Sequence, residues 1–529
     1  MKTPLTPLRC LHRAIDLFHD KPGVICGEKR FTYGEFGERC QRLATGLAKR
    51  GIRAGDRVAY LSLNNHMLLE GYFGVVQAGA ILLPLNVRLS PAELTGILND
   101  SGARMLLFEP MFAPLVEALK PGCPELETLV ALGDPAPPAD LAYEEIIDAG
   151  HPKRADIYRI DEDSVAELFY TSGSTGKPKG VMLSHRTLYL HALSLYTVYK
   201  EVETMVNLHT IPLFHANGWG HPQASTYFGV KQVMAHGFNP AEVLRLIEEH
   251  GATDMYLVPV MANALLNAPE LGQRTVSSLR RILIGGASSS PALIARMENA
   301  FGCEVYDGYG LSETSPILTV AIPKTGIEHA SEEDRYRRQA MTGWPLIGNE
   351  VRVVDEALND VPRDMKTIGE IVVRGDHVME GYWRDPEATA RIMEGGWLHT
   401  GDMAVWDEES YIQIVDRKKE IIISGGENIS SVEIENEIFA HPAVLECAVV
   451  AMPDDKWGEA PAAIVVLKPN QKLSALELRQ FLAGKLARFK IPRHIEFRDE
   501  ALPKTGTGKI LKLDLKEAFW AGKDKRVQG

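Results

Sequence analysis

The sequence is poor in the features that staple a chain or carry it into a membrane. Six cysteines (Cys10, Cys26, Cys40, Cys123, Cys303, Cys447) are scattered over 529 residues without a C-x-x-C pair. A disulfide framework and a zinc site are therefore not expected; packed thiols are. No apolar run approaches the roughly 20 residues of a membrane span. Met1-Lys2-Thr3-Pro4-Leu5-Thr6-Pro7 lacks a signal h-region, and Arg526-Val527-Gln528-Gly529 is no peroxisomal address, so a cytoplasmic location is expected. Positive charge is also in deficit: 57 Lys and Arg face 70 Asp and Glu, a net −13. Nucleic acid, which requires a basic surface, is not an expected partner. The deficit is uneven. From Lys418 onward 18 basic residues face 16 acidic ones, a net +2, which leaves −15 for the first 417 residues. A slightly basic C-terminal portion suits a piece that closes over anionic ligands. There is no internal repeat and no low-complexity tract.

What is present is a chain too long for one core, implying two or more domains. At 45% hydrophobic and 24% charged it is of ordinary globular composition. Residues 1 to about 165 alternate apolar strands with amphipathic helices, a pattern that predicts α/β architecture with sheets covered on both faces. Thr32 to Phe36 leads into a helix with Leu43, Leu47 and Ala48 on one face. Arg57–Leu61, 80–85 and 105–108 read as strands, Met67–Gln77 as a helix, and 134–138 as a surface connection. Farther on, strands are expected at 254–259 and 281–288, and strand-rich connections at 343–345 and 369–375. After the charged run Asp416 to Glu420 come a helix (432–440), two strands (448–452, 463–467) and a helix (475–486), a small α+β domain.

Between the apolar runs Val165–Tyr170 and Val181–Leu183 lies Thr171-Ser172-Gly173-Ser174-Thr175-Gly176-Lys177-Pro178-Lys179-Gly180. Glycines let backbone N–H groups turn onto an anion, hydroxyls add donors and lysine adds charge, so the stretch reads as a phosphate-wrapping loop between strands. It is not a Walker A loop, since two residues rather than four separate Gly173 from Gly176 and Pro178 follows Lys177. Nor is it a nucleophile elbow, because Ser172 stands where the first glycine belongs. A plain flexible loop would not concentrate donors between two strands.

This segment resembles the AMP-binding signature of the adenylate-forming superfamily, which includes acyl-CoA synthetases, peptide-synthetase adenylation domains and luciferases. Further motifs extend the resemblance over nearly the whole chain. Tyr306-Asp307-Gly308-Tyr309-Gly310-Leu311-Ser312-Glu313-Thr314 is similar to the family's Y-G-x-T-E block, with Ser312 in place of threonine. Trp397 to Asp402 matches its T-G-D motif, and Pro503-Lys504-Thr505-Gly506-Thr507-Gly508-Lys509 its P-K-T-x-x-G-K motif.

The resemblance implies roles. Thr171, Ser172, Gly173, Ser174, Thr175 and Lys179 would wrap the phosphates of ATP. Gly286, Ala287, Asp307, Gly308, Tyr309 and Ser312 would lie along the adenine side. Asp402 and Arg417 would take ribose and phosphate. Thr175 and Glu313 would hold Mg2+, and Lys509 would be the adenylation lysine. His215, Trp219 and Gly308 would line the acyl site, Trp219 resembling the gate of fatty acyl-CoA synthetases, to which the chain is most similar. Amino-acid-activating relatives place an aspartate near position 215 to pair the substrate ammonium, and a buried ammonium without a partner is costly. Gly425 and Gly426 match the CoA tunnel loop and Lys419 the hinge. The implied organisation is an N-terminal AMP-binding domain (1–417), comprising doubly covered sheets plus a strand-rich subdomain, and a small mobile C-terminal domain (418–529).

The implied reaction is that of an acid:CoA ligase. A carboxylate, most readily a medium- or long-chain fatty acid, attacks ATP to give acyl-adenylate and pyrophosphate, then CoA displaces AMP. Aryl or short-chain acids, a luciferase-type oxygenase and a non-catalytic adenylate sensor stay open as alternatives. A peptide-synthetase module is not expected, with 20 residues after Lys509. The partners are small molecules (acid, ATP and CoA), and a homodimer is compatible with this reading.

Overall fold

The computed structural model describes residues 2–520 except 136, 173–177, 198–201, 328, 425–426, 455, 484 and 505–509. Of the residues singled out above, Gly173, Ser174, Thr175, Gly425, Gly426 and Lys509 therefore lie outside the described residues, as does the side chain of Ser172.

The strand–helix alternation builds two large, mostly parallel sheets. One has eight strands, centred on Arg57–Leu61, Ile81–Pro84 and Val165–Ser172, the last of which pairs antiparallel with Pro178–Ser184. The other has nine, with Val206–His209, Asp254–Leu257, Arg281–Gly285 and Glu304–Gly310 running parallel through its middle. Their all-buried patterns, such as Val-Ala-Tyr-Leu at 58–61, are what strands covered on both faces require. A single apolar cluster spans both sheets and the helices Tyr33–Lys49 and His66–Gln77. The strand-rich portion is a four-stranded antiparallel sheet of Asn349–Val354, Gly369–Gly375, Leu398–Trp406 and Ile412–Arg417.

The smaller C-terminal domain has its own five-stranded sheet and two apolar clusters, one centred on Ile422, Ile434 and Leu478 and the other on Ala448, Ile464 and Leu515. It meets the antiparallel sheet where Asp416 Oδ2 accepts from the Ser431 backbone N–H (2.6 Å) and the Ser430 hydroxyl donates to the Val415 carbonyl. The whole is a mixed α/β architecture of a large multi-sheet N-terminal portion and a smaller C-terminal domain.

Local chemistry sets the helix starts. The capping box of Thr32 and Glu35 opens the helix Tyr33–Lys49, and Ser474 with Glu477 opens Ala475–Leu482. Three expectations need correction. Ala48 is exposed, because the buried stripe of its helix runs through Leu43, Ala44 and Leu47 and the last turn rises out of the core. The strand expected over 254–259 stops at Leu257, since Pro259 occupies the first turn of the helix Pro259–Leu266. The helix expected over 475–486 stops at Leu482; Ala483 is extended (ψ 126°) and bridges to Leu486, and the sequence places Gly484, a poor helix former, next. All six cysteines are free, four of them buried.

Candidate active site

The phosphate-loop candidates are held by a hairpin. Thr171 pairs with Lys179 and Tyr170 with Gly180 across the strands Val165–Ser172 and Pro178–Ser184. Ser184 ends the second strand and, through its hydroxyl, accepts from Thr187 N–H to cap the helix His185–Leu195. Both ends of the loop are thereby fixed. The segment 380–383 lies along the hairpin's outer edge, with Glu380 N–H on Met182 O (3.0 Å) and Trp383 N–H on Gly180 O (2.7 Å). It delivers Tyr382, which sequence reasoning missed. The Lys179 ammonium sits 4.9 Å from the Tyr382 ring centroid, and the Tyr382 hydroxyl donates to Glu313 Oε1 at 2.8 Å. Lys179 and Glu313, 134 positions apart, are thus tied to one aromatic ring.

Glu313 rides on the short 3-10 turn Ser312–Thr314, steadied where Met379 N–H donates to the Glu313 carbonyl (2.9 Å). Its Oε2 takes no hydrogen bond among the described residues. A half-buried carboxylate with a free hard oxygen fits a magnesium ion shared with a polyphosphate. No group of three or more His, Cys, Asp or Glu is placed to cage a metal among the described residues.

Three more candidates meet from three strands. Tyr309, on Glu304–Gly310, donates its hydroxyl to Asp402 Oδ2 at 2.6 Å. Arg417, directly across the antiparallel pair from Asp402, places Nε 3.3 Å from Oδ1. Burial and the adjacent carboxylate hold the Tyr309 phenol well above its usual range, so it stays a donor. Asp402 is buried yet satisfied, an acceptor poised between a ring and a cation. Lys418 continues the assembly: its backbone N–H donates to Gly401 O (2.8 Å) and its ammonium pairs with Glu370 (3.1 Å). Lys419 follows, exposed, in a turn 418–420.

Gly286 and Ala287 are exposed where the strand Arg281–Gly285 runs out. Asp307 is fully buried and accepts from Ser289 N–H (3.2 Å), bracing that turn from beneath; burial raises its carboxyl well above the usual range. Gly308 is buried beside Gly285, its register partner. A side chain at Gly285 would meet the Gly308 carbonyl at 2.7 Å and the Trp219 indole at 3.1 Å, so only glycine lets indole and sheet approach this closely. Trp219 is buried and edge-on to Tyr256 (centroids 6.4 Å apart), which in turn stacks on His221 at 3.6 Å. The His215 imidazole is pushed down to about 4, first by burial and then by Arg88, and is neutral near pH 7. Trp219 and Gly308 are therefore brought together at the end of the strand Arg281–Gly285, next to Gly286, and His215 directly precedes the turn Ala216–Gly220 that carries Trp219. Tyr256 lies on the strand Asp254–Leu257, within the stretch 254–259 that the sequence offers as a wall of the same pocket, whereas Arg88 carries no local sequence signal.

Comparisons with known proteins identify the family. The family model for AMP-binding enzymes matches residues 11–383, and that for the AMP-binding enzyme C-terminal domain matches 433–509. The chain belongs to the AMP-binding enzyme family. It is an AMP-forming acid:CoA ligase. The ligase is 41% identical to a long-chain-fatty-acid–CoA ligase of Thermus thermophilus over 96% of its own chain and 94% of that protein. It is 38% identical to a feruloyl-CoA synthase of Amycolatopsis (93% and 95% covered) and 36% to a peroxisomal butyrate–CoA ligase of Arabidopsis thaliana (97% and 93%). Among solved structures it superposes on an anthranilate CoA ligase holding anthranoyl-AMP with a TM-score of 0.88 at 29% identity, covering 98% of each chain. It superposes on ATP-bound MatB of Rhodopseudomonas palustris with a TM-score of 0.85 at 30% identity, covering 97% of the ligase and 99% of that chain. ATP and CoA are the ligase's co-substrates. No helix among the described residues is long and apolar enough to cross a membrane.

Proposed function

We propose that the ligase activates a medium- or long-chain fatty acid, first as the acyl-adenylate and then as the CoA thioester. The observation that carries the acid class is Trp219 packed over Gly285, with a neutral His215 where an amino-acid pocket needs an anion. A charged ammonium finds no counter-charge in these candidates, whereas an alkyl chain finds indole and phenol faces.

In the first half-reaction the substrate carboxylate attacks the α-phosphorus and pyrophosphate departs. Positioning and charge neutralisation do most of the work. Thr171 to Thr175 and Lys179 hold the departing phosphates, with Tyr382 orienting Lys179 and Glu313. A magnesium ion on Glu313 and Thr175 would neutralise phosphate charge. Tyr309 presents a flat face to adenine beside Gly286, Ala287 and Ser312, and Asp402 accepts from the ribose hydroxyls with Arg417 behind it. Lys509 bridges carboxylate and α-phosphate.

The domain boundary falls at 417/418. The hinge is Lys419, an exposed residue in the turn 418–420 that joins the antiparallel sheet to the C-terminal domain. Rotation there withdraws Lys509 and brings Gly425 and Gly426 to line the path of the CoA thiol.

A panel running from acetate through butyrate, octanoate and palmitate, with ferulate and α-amino acids, tests the acid class. Octanoate or palmitate is expected to give the highest kcat/KM for CoA-dependent AMP release, and α-amino acids none. Preferential turnover of ferulate, or any activation of amino acids, overturns the pocket assignment.

A further inference from the structure

A glutamate interrupts the apolar run Val165-Ala166-Glu167-Leu168-Phe169 on the strand that feeds the phosphate loop. In the fold it lies in the middle of the eight-stranded sheet, opposite Leu82 on one side and Leu183 on the other, and is 0% exposed. No cation pairs with it among the described residues. Its one polar partner is an amide, Gln223 Nε2, which donates to Glu167 Oε1 at 2.6 Å. Burial drives the carboxyl well above its usual range, so it stands as a neutral acid near pH 7. A lone buried acid is costly, and nothing in the sheet itself requires one.

The other arm of this contact explains its place. The same Gln223 Nε2 donates to Asn217 Oδ1 at 3.2 Å. Asn217 belongs to a turn, Ala216 to Gly220, whose five residues all have positive φ: 45°, 53°, 50°, 58° and 76°. Such a left-handed run is strained for Ala216 and Trp219, which carry side chains. Strain of this kind persists where the surroundings over-determine it. Upstream, Asn64 fixes the chain by donating to His209 O and Ile211 O (3.1 and 2.9 Å) and accepting from Leu213 N–H (2.7 Å), while Tyr72 donates to Leu213 O (2.5 Å). Downstream, Gly220 presses against His191, which a side chain there would meet at 2.4 Å. Inside the turn, the bond at Asn217 is the one side-chain hydrogen bond among the described residues.

We propose that Glu167, through Gln223 and Asn217, is a positioning residue that holds the left-handed turn in shape and thereby sets where Trp219 stands in the acyl pocket and which acids it admits. The inference rests on the assignment of Trp219 to that pocket. On this proposal the three residues act through the indole. Glu167→Gln keeps the shape and an acceptor for Gln223. Glu167→Leu removes the acceptor. Asn217→Gly removes the amide while keeping a residue that tolerates φ of 53°, so the backbone is relieved rather than strained.

The test measures kcat and KM for straight-chain acids from acetate to palmitate, the KM for ATP, and the melting temperature of each variant. Glu167→Gln is expected to keep the parental chain-length profile. Glu167→Leu and Asn217→Gly are expected to raise the KM for the preferred acid roughly tenfold and to displace the optimum chain length, with the KM for ATP unchanged within about twofold. A merely structural role would lower the melting temperature and leave the profile in place, and that result overturns the proposal. So does a rise of both KM values together. Asn217→Gly carries the test alone if Glu167→Leu does not fold. Trp219→Ala separates the two levels. An unchanged profile in that variant sinks the pocket assignment itself, whereas a changed profile there with unchanged Glu167→Leu and Asn217→Gly profiles sinks only the brace.

Discussion

Lys509→Ala is expected to slow acyl-adenylate formation by on the order of 10²–10³-fold, the scale on which a preorganised charge-stabilising donor acts. The same variant, given pre-made acyl-adenylate and CoA, is expected to form thioester at close to the parental rate. The asymmetry follows from where the charge moves. In the first step negative charge builds on the oxygens around the α-phosphorus, and a point cation that bridges them is worth most there. In the second step the CoA thiol attacks the acyl carbonyl of the adenylate and AMP leaves; the α-phosphorus is no longer under attack and pyrophosphate has already departed, so the lysine is dispensable. Loss of folding is not the expected cause. The stem on either side of residues 505–509 is pinned: Lys504 bridges to Ile510, Leu511 N–H donates to Pro503 O (2.8 Å), and Glu446 holds both Leu502 N–H (3.0 Å) and the Lys504 ammonium. Single-turnover kinetics of each half-reaction check this, with a thermal melt alongside. An equal deficit in both steps contradicts a lysine that serves only adenylation.

Glu313→Gln is expected to lower the adenylation rate about 10²-fold at limiting magnesium and to move half-activation to higher magnesium concentration. The amide is isosteric and can still accept from the Tyr382 hydroxyl, so the turn Ser312–Thr314 should keep its place while the charge is lost. Tyr382→Phe is the companion variant. It leaves the carboxylate and the aromatic face under Lys179 intact but removes one orienting hydrogen bond, and a smaller loss of several-fold is expected. A magnesium dependence unchanged in Glu313→Gln would show that the ion is held elsewhere.

The parts of the site legible in the sequence were those that chemistry confines to a short stretch. A loop that wraps phosphate needs its glycines, hydroxyls and lysine contiguous, and a strand leading to a nucleotide needs glycine at its end, so Thr171 to Lys179 and Gly285 to Ala287 announce themselves. The strand Arg57–Leu61 was legible for the same reason, its four buried residues forming an unbroken apolar run. Contacts between distant segments leave no such mark. Tyr382 reaches Glu313 across 69 positions and Glu167 reaches Gln223 across 56, and neither pair has a spacing that a helix or strand period would reveal. The left-handed turn at 216–220 was hidden for a different reason. Ala216, Asn217 and Trp219 individually prefer negative φ, and only the tertiary contacts of Asn64, Gln223 and His191 hold them otherwise. The helix Ala475–Leu482 failed at its end because periodicity continues through Leu486 while the backbone does not.

A bound acyl-adenylate is expected to form before CoA takes part. The direct measurement omits CoA: the ligase is mixed with ATP, magnesium and its best acid, quenched at short times, and assayed for pyrophosphate and for acyl-AMP by mass spectrometry. The expected result is a burst of pyrophosphate matching the enzyme concentration, with an equal amount of acyl-AMP, which later addition of CoA converts to acyl-CoA and AMP. Release of ADP and phosphate, or the absence of both pyrophosphate and acyl-AMP until CoA is added, would contradict it.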